Sequence, residues 1–412
     1  VSSAWSGRPV KSVKPIRPWG NKMAISSGGS KGIDVSVVLP CYNVEKYLDQ
    51  ALCSAEKNTL INLEIICVND GSTDATLDVI KRHEAKDERV RVIDKPNAGY
   101  GAAVNRGFDE ARGTYVAILE PDDWVEPHMY DNLFTLAHRY ESKAIGYPDI
   151  VKSSYWRIWM PETDRQRRLH CSYYKRIQPS HQPFTLAECP RLIQHHPSIW
   201  SALYLHDFLR RSSIRFKEVP GAGWVDNPFL IETMCQAKSI IYTDDPYYNY
   251  REDLPGSSSA TRVLGLSFER WNDMCDVADR LQIDDPGIRQ ALDTIGFRYV
   301  GEAIGRGGLD DAELKDGMKK IFSRMHTEDI LALTNVSPQL RRLAFSLSGR
   351  EVPELTGCGY MKSLIREFFY SVRVNGLGFA IARTGVYRQR RQRQDANADP
   401  MRSHSGDIPA GM

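Results

Sequence analysis

The sequence predicts an α/β fold, a sheet with helices on both faces, followed by a C-terminal helical region. Three observations carry this. Short apolar, β-branched runs recur between residues 35 and 121. Stretches with helical periodicity separate them, and this β-α alternation requires crossovers that cover both faces of a parallel sheet. After about residue 262 nearly every segment has helical spacing instead.

Residues 1–34 are rich in Ser, Gly, Pro and Lys without periodicity, the pattern of a flexible arm. Order begins at "VSVVLP" (35–40), a continuous run of the kind a doubly covered strand needs. After "CYN" comes the amphipathic "VEKYLDQALCSAEKN". "LEIICVND" (63–70) repeats the buried-strand pattern, and "GSTDATLDVIKRHEAKD" reads as a capped helix. A third strand, "VRVIDK" (90–95), leads into the glycine-punctuated "PNAGYGAAVNRGFDEARG", and the fourth is "YVAILEP" (115–121). From about residue 150, "IVKSSYWRIW" and "SIIYTDDPYYNYR" have strand character, with helical pieces such as "SIWSALYLHDFLRRS" between them. "GLSFERWNDMCDVADRL", "DDAELKDGMKKIFSRM" and "MKSLIREFFYSV" follow as helices, and the polar tail 385–412 is expected to be disordered.

The 412 residues exceed one ordinary core, and 42% hydrophobic with 26% charged residues is a globular balance. A net charge of +2 gives no whole-chain field for nucleic acid. The basic "YRQRRQR" (387–393) lacks an aromatic-basic platform, so no nucleic-acid partner is expected. None of the eight cysteines forms a C-x-x-C pair, which argues against zinc ribbons and thioredoxin-type sites. Scattered thiols fit a reducing cytosol, hence a cytoplasmic location, free or peripheral at the inner face of the membrane. Neither a transmembrane run nor a signal-peptide core is evident.

In such sheets ligands bind beyond the carboxyl ends of the strands. The unusual polar clusters fall there: Tyr42-Asn43, Asn69-Asp70-Gly71, Asn97, and Glu120 to Asp123. "VAILEPDDWVEP" (116–127) crowds Glu120, Asp122 and Asp123 into four positions, where they repel unless a cation sits between them. Pro121 pushes Glu120 toward extended geometry, and residues two apart in an extended segment share a face. Glu120 and Asp122 are therefore aimed at one point, an oxygen pair suited to Mg2+ or Mn2+. Asp122 or Asp123 capping a helix that starts near Pro127 fits the same residues. Asp70 is an acceptor-only group at a strand end, Gly71 lets the chain turn, and Ser72 or Thr73 can cap the next helix. "GYGAAV" (99–104) lacks the third glycine of a dinucleotide fingerprint and follows the third strand, which argues against a dehydrogenase.

Together "VSVVLPCYN", "VNDGSTD", "NAGYGAAVNRG" and "LEPDDWVEP" resemble the family 2 glycosyltransferases, and "GAGWVDNPF" (221–229) and "YYNYREDLPGSSS" (247–259) continue the likeness. The resemblance implies a GT-A (Rossmann-like) mixed sheet and an inverting transfer from a nucleotide-sugar, a UDP-sugar by preference. The acceptor would be a glycan, a lipid-linked glycan or a surface polymer. Carried over residue by residue, Pro40, Tyr42, Asn43, Asp70, Gly71, Asp122, Asp123 and Arg251 would bind the nucleotide-sugar. Tyr42 would lie on the base and Asp70 accept from it, while Asp122, with Glu120, would hold Mg2+ or Mn2+. Most members have Asp where Glu120 stands, and an acid where Val225 stands. Asp226 keeps the position of the general base, although an N-cap on "NPFLIETMCQA" also fits it. Arg251 and Ser257 to Ser259 match a lid, and Trp200 either walls the acceptor pocket or packs in the core.

The expected organisation is an arm (1–34), a catalytic domain (35–262) with a nucleotide-binding half (35–127) and an acceptor-side half (128–262), a helical region (263–384) and the tail. In "MKSLIREFFYSVRVNGLGF", Met361, Leu364, Ile365, Phe368, Phe369 and Val372 recur at helical spacing beside Lys362, Arg366 and Arg373. Residues 361–393 therefore read either as a peripheral membrane contact or as a helix packed on the catalytic domain. A non-catalytic nucleotide-sugar-binding relative is the alternative function.

Overall fold

Each apolar run of the first third forms a strand, and the four lie parallel: β1 (Val35–Cys41), β2 (Leu63–Asp70), β3 (Val90–Lys95) and β4 (Tyr115–Ile118). The computed structural model describes residues 32–385 apart from 145, 253 and 255–263. Most of the expected arm and tail, the lid serines and the basic run 387–393 lie outside the described residues. All seven residues of β1 and all eight of β2 are buried, as a strand covered on both faces requires. The covering crossovers are α1 (Glu45–Glu56), α2 (Thr76–Glu84) and α3 (Tyr100–Glu110).

The second half turns the sheet mixed. It supplies β5 (Trp124–Val125), α4 (Met129–Arg139), β6 (Ile150–Trp159), β7 (Arg167–His170), β8 (Ala202–Leu205), α5 (His206–Arg211), α6 (Asp226–Gln236) and β9 (Ile240–Arg251). The strand order is β3-β2-β1-β4-β8-β6-β9-β5, with β7 paired to β6. β8 runs antiparallel to β4 and β6, β9 parallel to β6, and β5 antiparallel to β9.

Two expectations change here. "SIWSALYLHDFLRRS" is not one helical piece: a single turn (Ile199–Ser201) leads into β8, and only then into α5. Ala202 to Tyr204 are fully buried between β4 and β6, where ladder bonds outweigh the local helix preference of Ala and Leu. The fourth strand also stops at Ile118 rather than Pro121. Leu119 still donates to Val38 O (3.0 Å), but the chain then turns, with Asp123 N–H on Glu120 O (3.0 Å).

Beyond the sheet come α7 (Leu264–Arg280), α8 (Pro286–Gly305), α9 (Ala312–Arg324), α10 (Thr327–Ala332), α11 (Pro338–Leu347) and α12 (Cys358–Asn375). Asp285, Asp311 and Ser337 cap α8, α9 and α11 by accepting from Ile288, Leu314 and Leu340 N–H. α7 packs on α6 and α8 on α7, so one cluster of buried side chains runs from Val35 to Phe345. α12 docks through Tyr370, whose hydroxyl donates to Tyr174 O (2.8 Å) and whose ring carries the Arg176 guanidinium at 3.3 Å. Met361, Ile365 and Phe369 point away from that contact and are exposed, whereas Leu364, Phe368 and Val372 are half-buried. Among the described residues no helix is long and apolar enough to cross a membrane.

Candidate active site

The ends of β1 and β2 are stitched together by their own polar residues. Asn43 takes a left-handed backbone (φ 51°) and accepts from Thr73 N–H at 2.8 Å, while its own N–H donates to Ser72 Oγ at 3.1 Å. Val44 N–H donates to Thr76 Oγ1 (2.9 Å) and Ala75 N–H to Glu45 Oε2 (2.8 Å). Ser72 and Thr73 thus brace the neighbouring loop rather than cap α2; Asp74 takes the Thr76 N–H (3.0 Å). Pro40 is buried in β1, and Tyr42 beside it is 49% exposed, its ring open to solvent.

Asp70 is 2% exposed and accepts from the N–H groups of Ala98 (3.0 Å) and Gly99 (2.9 Å) and from Lys95 Nζ. Its carboxylate therefore fixes the turn that starts α3. Gly71 (φ +70°) lies so close to that turn that a Cβ would meet Asn97 N at 2.7 Å. Gly99 and Gly101 have a related reason, which sequence reading missed. A Cβ on either would meet a main-chain oxygen, Val219 O or Lys217 O, at 2.2 Å. The segment 216–221 of the second half lies directly on α3, and Asn105 grips it from the side. Asn105 Nδ2 donates to Phe216 O and Asn105 Oδ1 accepts from Phe216 N–H, both at 2.9 Å.

The acid loop sits between α3 and β9. Asp123 is 1% exposed and accepts from Tyr248 Oη (3.0 Å) and Arg251 N–H (2.7 Å), so its carboxylate holds β9. Burial, with the Asp122 charge behind it, pushes its pKa up. Glu120 N–H donates to the Tyr248 hydroxyl (3.1 Å), and Glu120 Oε1 accepts from Tyr100 Oη (2.6 Å). Burial raises the Glu120 pKa to about 8, the Tyr100 bond opposes that rise, and the Asp122 and Asp226 charges add to it. Burial raises Asp122 too, against its own main-chain N–H and the Arg251 charge. Neither Asp122 nor Asp123 caps α4, whose N-cap is His128.

Glu120 and Asp122 fit a hard divalent cation. They are half-buried, offer oxygen only, and among the described residues neither makes an ion pair within 4.0 Å. Acids raised by burial, Glu120 also by the Asp122 charge, are what a bound cation would return to the ionised form. Arg251 is 8% exposed, with its guanidinium on Asp122 O and Gln50 Oε1 and stacked between Tyr47 (5.1 Å) and Trp124 (4.5 Å).

Asp226 comes from the other half. It is the first residue of α6, and the N-cap is Val225, with no side-chain cap bond, so it does not cap the helix. Asp226 Oδ1 accepts from Asn227 Nδ2 (3.1 Å), and Asn227 Oδ1 accepts from Tyr299 Oη of α8 (3.0 Å). Burial raises its pKa to about 6 against these bonds. Its charge in turn helps raise Tyr100 and Glu120, so the structure gathers Glu120, Asp122, Tyr100 and Asp226 in one neighbourhood. Trp200, by contrast, is 3% exposed and stacks on Tyr248 at 3.9 Å, inside the core. Tyr100, Tyr248, Asn227 and Tyr299 were not legible beforehand, because the contacts that bring them to the site cross 20, 128 and 72 positions of chain.

Comparisons with known proteins bear on the family and the fold. Residues 36–192 match the model of glycosyl transferase family 2. The uncharacterized glycosyltransferase EpsJ of Bacillus subtilis is 30% identical over 219 residues, 53% of this chain and 61% of EpsJ. Chondroitin synthase of Pasteurella multocida is 41% identical over 93 residues, 23% of this chain and 10% of that one. The chain thus spans less than two thirds of the length of these curated relatives. Among solved structures, S. aureus TarS (residues 1–349, in complex with UDP-GlcNAc) superposes with a TM-score of 0.61 at 19% identity, covering 77% of this chain and 88% of that one, which speaks for the fold. With motifs, sheet order and family match in agreement, the chain carries a domain of glycosyl transferase family 2 in the GT-A fold.

Proposed function

We propose that the chain is an inverting glycosyltransferase that moves a sugar from a nucleotide-sugar, a UDP-sugar, to a hydroxyl of a glycan, a lipid-linked glycan or a surface polymer. The observation that supports it most is the meeting of two half-buried carboxylates from opposite halves of the domain. Glu120 and Asp226, with pKa values of about 8 and about 6, converge around Tyr100. A carboxylate near 6 is ionised at neutral pH yet more basic than a free one, which suits a general base.

In this reading the acceptor oxygen attacks the anomeric carbon from the face opposite the diphosphate. The new carbon–oxygen bond forms as the bond to the diphosphate breaks, and its electron pair leaves with the nucleoside diphosphate. The hydroxyl proton passes to Asp226, whose other oxygen is held by Asn227 and, behind it, Tyr299. Glu120 and Asp122 would hold Mg2+ or Mn2+, whose charge would neutralise the departing diphosphate. Pro40, Tyr42, Asn43, Asp70 and Gly71 would form the floor for the nucleotide: Tyr42 offers an open ring, and the other residues keep the two loops in place. Asp123 would serve the donor indirectly, by anchoring the loop. Arg251 would reach the diphosphate from beside Asp122.

TarS in complex with UDP-GlcNAc and the synthases of chondroitin and hyaluronan among the relatives favour a UDP-sugar and a polysaccharide-type acceptor. The organisation proposed is a donor half (35–127), an acceptor half (128–262) and a helical region (263–384) that contributes Tyr299. Peripheral attachment at the cytoplasmic membrane face through 361–393 belongs to the same proposal. It is supported by exposed Met361, Ile365 and Phe369 on α12, which bears Lys362, Arg366 and Arg373, and by exposed Leu377 and Ile381 beyond its Gly376 cap.

The test is UDP-sugar turnover with purified chain and Mn2+. Release of UDP that stops in EDTA supports a transferase; UDP-sugar binding with no turnover under any acceptor supports a binding-only relative.

A further inference from the structure

On the outer face of the sheet α1 and α2 pack against each other. Asp49, Cys53 and Glu56 are spaced four and three residues apart, so one face of α1 presents all three. α2 brings His83 against them, with a side chain only 7% exposed. Nδ1 lies 2.6 Å from Glu56 Oε1 and Nε2 lies 3.2 Å from Asp49 Oδ1. Cys53 Sγ is 3.9 Å from Asp49 Oδ2, and the ligand atoms of Asp49, Cys53 and His83 all lie within 4.8 Å of one another.

We propose that Cys53 Sγ, His83 Nε2 and the Asp49 carboxylate form a binding site for a borderline-soft divalent ion of the zinc class. Bond lengths of about 2.0 Å to nitrogen and oxygen and about 2.3 Å to sulfur put tetrahedral ligand atoms roughly 3.3–3.6 Å apart. The Nε2–Oδ1 spacing of 3.2 Å is already in range, and the 4.8 Å span of the set leaves about an ångström for the Cys53 and His83 side chains to close on the ion. Glu56 supplies the outer partner of such sites: by accepting from Nδ1–H it fixes the tautomer and leaves the Nε2 lone pair for the ion. Water takes the fourth place, which the 69% exposed Asp49 leaves accessible. Binding releases the thiol proton of Cys53, which burial and the Asp49 and Glu56 charges hold on in the absence of an ion, against Lys57 and Lys86. The sulfur and nitrogen donors separate this site from the oxygen-only pair at Glu120 and Asp122. It would staple α1 to α2 toward their C-terminal ends.

Cobalt(II) is the probe, added to reduced full-length chain. One equivalent should produce a near-ultraviolet thiolate-to-cobalt charge-transfer band that one equivalent of Zn2+ removes. Cys53→Ser should abolish the band, and Glu56→Gln should weaken cobalt affinity by about 10–100-fold. Asp122→Ala should leave it unchanged, since an oxygen-only site gives no such band, so this result and UDP-sugar turnover fail independently. No band with one equivalent of cobalt, or a band that persists in Cys53→Ser, overturns the proposal and leaves His83 simply bridging Glu56 and Asp49.

Discussion

The hydroxyl of Tyr100 donates to Glu120 Oε1 over 2.6 Å, tying the first residue of α3 to the acid loop after β4. This bond is the main influence holding the Glu120 pKa down against burial. Tyr100→Phe should therefore move the Glu120 titration above about 8. Mn2+-dependent UDP binding near neutral pH should then weaken by roughly tenfold, the worth of one hydrogen bond to a charged group. Isothermal titration with the variant checks it; unchanged affinity would remove Glu120 from the ion's surroundings.

Asp122→Ala should abolish metal-dependent UDP binding while the fold survives, because Asp122 is the acid of the loop whose side chain neither holds β9, as Asp123 does, nor accepts from Tyr100, as Glu120 does. Glu120→Asp should still bind, with some loss from the longer reach to Tyr100. UDP binding by Asp122→Ala that equals the parent and ignores EDTA would end this assignment.

Asp226→Asn keeps the shape and removes the proton acceptor. Since Asp226 makes no cap bond, the melting temperature should stay close to the parent value. Transfer should fall by about 10²–10⁴. In the parent the rate should decline as pH falls through about 6, where Asp226 takes up its proton. Rate against pH for both proteins is the check.

Stability should run the opposite way with pH. Glu120 and Asp226 titrate near 8 and near 6, above their ordinary 4.5 and 3.8, so the folded chain keeps protons that the unfolded chain has lost. Their contribution to stability therefore falls as pH rises from about 4 through about 8. Differential scanning of the metal-free chain should show this decline, and Glu120→Gln should flatten its upper part. Added Mn2+ with UDP should recover more stability at the alkaline end, where the carboxylates are ionised. An unaltered slope in Glu120→Gln contradicts the assignment.

The parallel core was legible because its physics is local. Continuous burial writes itself as unbroken β-branched runs, and β2 and β3 fall on the residues the pattern marks. β8 was not legible, since Ala202 to Leu205 become a strand only by filling the gap between β4 and β6. Among the site residues, types were legible but duties were not. Asp123 and Asp70 read as ligand groups, yet one holds β9 and the other holds the α3 turn. Asn105 looked like a passing helix residue, because its partner lies 111 positions away.

Gly101→Ala tests that long-range packing. A methyl there meets Lys217 O at 2.2 Å, so either the segment 216–221 or α3 must shift. A loss of about 1–3 kcal/mol is expected, and more for Gly99→Ala, which adds a disfavoured φ of +95°. Denaturant midpoints measure it, and no change would mean that the contact is not made.

Phe369→Asp and Ile365→Asp should abolish co-sedimentation with anionic vesicles without changing soluble turnover, because both side chains are exposed on α12. Equal sedimentation of parent and variants would place α12 against protein instead of lipid.

The Asp123 carboxylate meets its partners only in Tyr248 and Arg251, 125 and 128 residues later in the chain. During synthesis the first four strands can therefore pair while the acid loop still lacks its anchors. At ribosomal rates of about 5–20 residues per second, that interval lasts roughly 6–25 seconds. For that time Asp123 lacks the two donors that hold it, and closing a loop of this length is a slow, non-local step. Completion of the candidate site is thus a late event of folding, set when β9 inserts between β6 and β5.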